Sequence, residues 1–370
     1  MEWKEVRLGD ILNFHRGHDL PREKMEFGEV PVAASNGIIG YHNVATDISP
    51  CITIGRSGNI GTPYIYKKCW AHNTTLYIDN FKGNDPLYLY YLCKTIPFKS
   101  FVGGSAVPTL NRNHIHPIMV KYIPNLSDQR KIAGILSALD AKIENNNKIN
   151  ANLEAQAEAL FKSWFVDFTP FKDQPFVDSE LGPIPQGWKV GKINEFVDVI
   201  YGAPYKSKLF NTQKEGLPLI RIRDLKTCSP QFYTKELLPN TELVNYGDVV
   251  AGMDAEFTPH IWLGETGLLN QRVCKFKPHT GISPLYSMLM IKPKLEFAQN
   301  YKVGTTVSHL GKSDIDKFIV IVPPLDIVKE VSSIFDAVLN EQIYLAKENQ
   351  RLAALRDTLL PKLMSGEIKL

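Results

Sequence analysis

From Ile132 onward, seam positions recur at alternating intervals of four and three. The row reads Ile132, Leu136, Leu139, Ile143, Asn146, Asn150, Leu153, Ala157, Leu160 and Trp164. This is the 3.5-residue period of a coiled-coil seam, apolar except for two asparagines. A second row with the same spacing reads Val331, Phe335, Val338, Gln342, Leu345, Asn349, Leu352, Arg356, Leu359 and Leu363. Two long helices are predicted, each roughly 55 Å at 1.5 Å per residue, with Ser127 and Asp326 as N-caps. Asn150 and Asn349 occupy equivalent places, where a buried polar residue fixes register at some cost in stability. Neither helix can bury its seam alone. An antiparallel pair with a globular part at either end would bury both; the alternative is that each helix folds back on its own domain.

Ahead of each helix the pattern changes. Short strand-like runs (CITIG, PYIYKK and TTLYI; then LPLIRI, GDVVAGM and QRVCKF) alternate with Gly, Pro, Asn and Asp. Each part holds one short helical stretch, 86–95 and 284–291. The class is mixed α/β.

The chain repeats itself. GSAVPTL at 104–110 matches GTTVSHL at 304–310, and the match continues through Ile115 and Ile315, Ile118 and Phe318, Val120 and Val320, and Pro124 and Pro324. One residue is then lost, after which Ile132 answers Val331, Leu136 answers Phe335 and Leu153 answers Leu352. The two openings agree as well: Trp3, Leu8, Ile11 and Gly17 correspond to Trp188, Ile193, Phe196 and Gly202. The organisation is two copies of a domain-plus-helix unit related by a pseudo-twofold. Residues 1–124 and 186–322 form the domains, 125–168 a central helix, 169–185 a linker and 323–370 a distal helix.

With 370 residues, 44% hydrophobic and 22% charged, the composition is that of a soluble protein of two domains. No apolar run approaches the length that spans a bilayer. MEWKEVRLGD lacks a signal-peptide pattern, and five scattered cysteines with no Cys-x-x-Cys suit a reducing cytoplasm. A net charge of +3 permits nucleic acid as a partner without demanding it.

Catalytic signatures fail one by one. GTTVSHLGKS is similar to a phosphate loop, yet Thr306 stands where its first glycine is needed. GRSGNIG spaces its glycines by three and sits between strand-like runs, which makes it a loop rather than a dinucleotide fingerprint. Asp85-Pro86-Leu87-Tyr88 lacks the second proline of an adenine-methyltransferase motif and reads as a helix N-terminus. His114 and His116, alternating on a predicted strand, have no companions at metal spacing. Glu367 and Lys369 are a lone Glu-x-Lys, without the aspartate of a nuclease motif. No catalytic or metal site is expected.

Several longer phrases carry a resemblance. IPNLSDQRKIAGILSALDAKIENNNKINANLEAQAEALFKSWFVDFTPF (123–171), LGPIPQGWKV (181–190) and LLPKLMSGEIKL (359–370) resemble the specificity subunits of type I restriction–modification systems. So do ASNGIIGY, GRSGNIG and LLNQRVCKF within the domains. The resemblance implies two target-recognition domains, each reading half of a bipartite site on double-stranded DNA. It implies helices that act as a spacer and dock two methyltransferase subunits, with restriction subunits joining for cleavage. S-adenosylmethionine, Mg2+ and ATP would belong to those partners and none to this chain, which would act in the cytoplasm. The competing readings are a cryptic enzyme, a scaffold whose domains bind something other than DNA, and service in a modification-only system.

Glycine-rich loops let a backbone approach phosphates, and adjacent polar side chains can bond phosphates or base edges. On that reasoning the DNA-contacting residues of the first domain are Asn36, Arg56, Ser57, Asn59, Lys67, Lys68, Asn73, Thr74 and Arg112, with Arg56 the foremost. Those of the second are Lys206, Lys208, Arg221, Arg223, Asp254, Thr258, His260 and Lys312. Gln271 and Arg272, at the start of a strand, read as structural.

Overall fold

The computed structural model describes residues 2–102, 108–301 and 309–370. The match between GSAVPTL and GTTVSHL falls largely outside the described residues. The first copy runs β1 (Lys4–Arg7), α1 (Leu8–Ile11), β2 (Asn13–Arg16), β3 (Val30–Ala34), β4 (Gly37–His42), β5 (Cys51–Gly55), β6 (Pro63–Tyr66), β7 (Trp70–Ala71) and β8 (Thr75–Asn80). It continues with α2 (Pro86–Thr95), α3 (Arg112–Ile115), β9 (Met119–Tyr122) and the long α4 (Leu126–Phe165). A short hairpin, β10 (Phe176–Val177) with β11 (Ile184–Pro185), leads into the second copy.

The second copy runs β12 (Lys189–Lys192), β13 (Val197–Tyr201), β14 (Leu217–Ile220), α5 (Ile222–Leu225), β15 (Tyr233–Thr234), β16 (Leu243–Val244), β17 (Val249–Gly252), β18 (Pro259–Ile261), β19 (Gly267–Leu269) and β20 (Val273–Pro278). Then follow α6 (Pro284–Tyr301), α7 (Lys312–Ile315), β21 (Ile319–Val322) and the long α8 (Leu325–Ser365).

The two copies share one topology. An antiparallel sheet β2-β8-β5-β6 in the first corresponds to β13-β20-β17-β18 in the second. The parallel pair β3 with β7 corresponds to β14 with β19, and the antiparallel pair β1 with β9 to β12 with β21. Individual hydrogen bonds repeat too. The Leu8 amide donates to Ile118 O at 2.8 Å, and the Ile193 amide to Phe318 O at 3.1 Å. The Gly17 amide donates to Thr75 O, and the Gly202 amide to Val273 O. The pairings seen in sequence at Leu8 with Ile193 and at Gly17 with Gly202 are therefore structural equivalences, and the class is mixed α/β as expected.

CITIG is β5 in full, GRSGNIG is the loop between β5 and β6, and α2 spans the predicted 86–95. The Asp85 side chain caps α2 by accepting from the Tyr88 amide at 3.0 Å. Three expectations need correction. Helix α6 runs ten residues past 291, through Pro293, because Leu295 and Ala298 continue its buried face. The long helices begin one residue before the predicted caps: Asn125, not Ser127, accepts from the Asp128 amide at 3.1 Å, and Asp326 lies inside α8. His114 and His116 lie on and just after the short α3, not on a strand. His116 Nε2 accepts from the Phe14 amide at 3.0 Å and its ring stacks on Phe14.

The chain divides into two compact units whose boundaries fall inside the long helices: residues 144–350, and residues 1–143 with 351–370. In both predicted seams every position is buried or half-buried. In the unit of 144–350, Asn146 meets Asn349 and Gln342 reaches Asn150 O, so rising numbers on one helix meet falling numbers on the other. The other unit packs Ile132, Ala133 and Leu136 in one core with Leu360, Leu363 and Met364, and there Asp140 bonds Arg356. The helices thus pack on each other, antiparallel. Each buried Leu, Ile or Phe of such a seam contributes about 1.5–3 kcal/mol.

The resembling phrases at the helix ends have a physical role. At the exit of α4, Phe165, Phe168 and Phe171 surround Trp188 at ring distances of 5.9, 5.5 and 5.0 Å. At the exit of α8, Gly366 takes a φ of +76° and lies so close to Trp3 that a Cβ would come within 2.3 Å of Nε1. Each equivalent tryptophan therefore seals the exit of the helix contributed by the other copy. Among the described residues, no helix is long and apolar enough to cross a membrane.

Candidate nucleic-acid interface

In the first copy three loops meet where β3 and β5 end and β8 begins. Gly55 is required there: a Cβ on it would lie 1.8 Å from Asn59 O. Gly58 and Gly61 have φ of +77° and +76°, values that glycine adopts at least cost. The chain folds back so tightly that the Gly61 amide donates to Gly55 O at 2.8 Å. The Arg56 and Ser57 amides both donate to Thr74 O, and the Ser35 amide to Thr74 Oγ1. The Leu110 amide donates to Arg56 O, which brings in the chain leading to Arg112 at the start of α3. Asn73 Nδ2 bonds Asp19.

Asn36, Arg56, Ser57, Asn59, Asn73, Thr74 and Arg112 thus belong to one knitted surface. Lys67 and Lys68 do not. They sit on the turn from β6 to β7, where Ser49 Oγ donates to Lys67 O, at the opposite end of β5 from Gly55. Arg16, at the end of β2, went unrecognised in the sequence. Partial burial, and after it the neighbouring Arg16 charge, lowers the Arg56 guanidinium below its usual value.

The second copy repeats this backbone with other side chains. A Cβ on Gly252 would lie 2.2 Å from Glu256 O. The Met253 amide donates to Arg272 O at 2.9 Å, and the Leu310 amide to Met253 O at 2.8 Å. Met253 therefore stands in the place of Arg56, and Arg272 in the place of Thr74. The His72 amide donates to Ala33 O as the Asn270 amide does to Ile220 O, so Arg221 follows Ile220 as Ala34 follows Ala33. Lys312 opens α7 as Arg112 opens α3.

Arg221, Arg223, Gln271 and Arg272 line a cleft of about 360 Å³ together with Tyr205, Ser207 and Asn270. The Arg221 guanidinium lies 5.2 Å over the Phe232 ring. The turn carrying Arg221 and Arg223 is pinned by the buried Asp224, whose carboxylate accepts from the Arg221 amide at 3.0 Å. Burial raises the Asp224 pKa against the pull of Arg221 and Arg223.

The expected residues of this copy separate. Arg221 and Arg223 line the cleft, Lys208 is exposed on the turn with Ser207, and Lys206 is engaged by Glu236. Asp254 offers no free carboxylate: it bonds Arg272 Nη1 at 2.6 Å and His309 Nδ1 at 2.7 Å. Thr258 and His260 lie in and before β18 and do not line the cleft; burial lowers His260, with Lys292 and Lys226 nearby. Gln271 and Arg272 hold the turn as expected, through bonds such as Met253 N to Arg272 O, but they are also exposed and line the cleft. Their position after a strand-forming LLN masked this, since a tight turn and a strand start look alike in sequence.

The comparisons agree with this duplicated architecture. A family model described as type I restriction modification DNA specificity domain matches residues 1–155 and again 185–355. The chain belongs to that family. It is 31% identical over 315 residues to the type I restriction enzyme MjaIX specificity subunit of Methanocaldococcus jannaschii, covering 76% of this chain and 69% of that protein. The MjaVIII specificity subunit of the same organism is 22% identical, and the match covers the whole chain and 93% of that relative. In fold, the chain is similar to the crystal structure of a type I restriction–modification S subunit from M. genitalium, with a TM-score of 0.59 and 14% identity, covering 98% of this chain and 96% of that one.

Proposed function

We propose that this chain is a non-catalytic reader in a type I restriction–modification complex, choosing a bipartite double-stranded DNA site. Each copy would read one half-site through its glycine-turn loops. The paired helices would set the spacing and dock two methyltransferase subunits, with restriction subunits joining in the cytoplasm. S-adenosylmethionine, Mg2+ and ATP would be held by those partners. The observation that carries this reading is the pair of equivalent loop clusters, in which backbone hydrogen bonds are kept while Arg56 becomes Met253 and Thr74 becomes Arg272. A constant frame with changed side chains is what two readers of two different sequences need.

The test is binding of the chain, assembled with its adenine methyltransferase, to duplex DNA at rising salt. For a DNA reader the logarithm of the binding constant falls linearly with log salt, with a slope near −0.9 per phosphate neutralised. Binding that is absent or indifferent to salt would favour a scaffold with another ligand.

A further inference from the structure

We propose that the cleft of the second copy is a guanine-reading site, with Arg272 as the base contact and Asp254 and His309 as its support. This deepens the DNA-reading role above and rests on it. Three guanidinium groups reach the cleft, but they are held differently. Arg221 has its guanidinium 5.2 Å over the Phe232 ring. Arg272 is gripped at Nη1 by Asp254, whose side chain is only 17% exposed and whose other oxygen is fixed by His309.

The carboxylate has two consequences. It fixes the rotamer of a side chain that otherwise loses about 2 kcal/mol of rotamer entropy on ordering, so the fork is set before DNA arrives. It also cancels most of the net charge of Arg272, which weakens attraction to a phosphate diester while leaving directional donors free. Of five guanidinium N–H groups, one is used on Asp254. The remaining fork matches the O6 and N7 acceptors of guanine in the major groove. Arg221 and Arg223, whose guanidinium groups have no such carboxylate clamp among the described residues, are suited to the phosphates on either side. Gln271 has its Oε1 engaged by Asn270 Nδ2 at 3.1 Å, which leaves its amide donors toward the cleft.

The first copy has no counterpart at this position. Thr74 stands there, with its hydroxyl against His72 Nδ1 and the Ser35 amide. The two half-sites therefore differ, and a guanine at the Arg272 position belongs to the second alone.

The experiment selects bound duplexes from a randomised library with the chain assembled with its methyltransferase. Wild type is compared with Arg272→Ala, Arg272→Lys and Asp254→Asn. The half-site of the second copy is the half left unchanged by Arg56→Ala. The expected result is one invariant G·C pair in that half, whose discrimination falls about 10- to 100-fold in Arg272→Ala and is not restored by Arg272→Lys. Asp254→Asn should weaken the same pair less, while the first half-site persists in every variant and reports an intact fold. Uniform weakening at all positions, an unchanged pair, or rescue by lysine would overturn the proposal. A wild-type complex that selects no sequence would overturn the DNA-reading role itself.

Discussion

Asn146 donates to Asn349 across the helix pair at 2.9 Å, and its second amide proton goes to the Glu348 carboxylate at 2.6 Å. Asn146 is fully buried in an otherwise largely apolar row. Both protons of its Nδ2 are thus bonded to the facing helix, which ties the pair to this register. Replacing Asn146 with Leu removes its bonds to Asn349 and Glu348 and should cost about 1–3 kcal/mol. Replacing Asn146 and Asn349 together should recover most of that loss and leave the register less defined. A double-mutant cycle by chemical unfolding should give a coupling of about 0.5–3 kcal/mol; additive effects would show that the contact is idle.

A second polar layer lies in the unit of 1–143 with 351–370. Asp140 accepts from Tyr91 Oη and from Arg356 Nη1, both at 2.7 Å, with Lys94 at 4.0 Å. Burial acts to raise the Asp140 pKa, but the bonds from Arg356 and Tyr91 and the charge of Lys94 outweigh it, so the carboxylate lies below its ordinary value. A depressed carboxylate stabilises the fold above its unfolded pKa and loses that contribution as pH falls through the folded one. Asp140→Asn should therefore cost about 1–2 kcal/mol near neutral pH, a figure reduced for the partial exposure of the cluster. The gap to wild type should close as pH falls through and below the ordinary aspartate range, since the folded-state pKa is lowered. A gap independent of pH in unfolding titrations would mean that the charge of Asp140 plays no part.

Gly55 and Gly252 make the clearest paired test of the loops. An added Cβ has 1.8 Å to Asn59 O and 2.2 Å to Glu256 O, both backbone atoms, so the turn must open. Gly55→Ala should degrade selectivity at the first half-site only, and Gly252→Ala at the second only. Selection from a randomised library reads both at once. Equal damage to both halves from either substitution would show that the loops do not act separately.

Much of this was legible before the structure. The two seams follow from spacing alone, because a 3.5-residue apolar period has few other meanings. The strands of the cores and the GRSGNIG turn follow from short apolar runs bounded by glycine. The equivalence of Arg272 with Thr74 was hidden by drift in the repeat. Gly17 and Gly202 differ by 185 positions, whereas Thr74 and Arg272 differ by 198, so insertions between them break any fixed offset. Asn146 was visible as a seam position, but its pairing with Asn349 depends on the register of two helices about 200 residues apart, which sequence spacing does not encode. Asp254 read as a DNA contact because it is a polar side chain beside Gly252, and such a residue looks alike in sequence whether its carboxylate faces a base or holds a side chain.

The most direct test is to express the chain with its adenine methyltransferase and map methyladenine across the host DNA by single-molecule sequencing. The expected result is a two-part motif with a fixed gap, in which Arg56→Ala relaxes one half and Arg272→Ala the other. Methylation without a bipartite motif, or none from a methyltransferase shown to be bound to this chain, would contradict it.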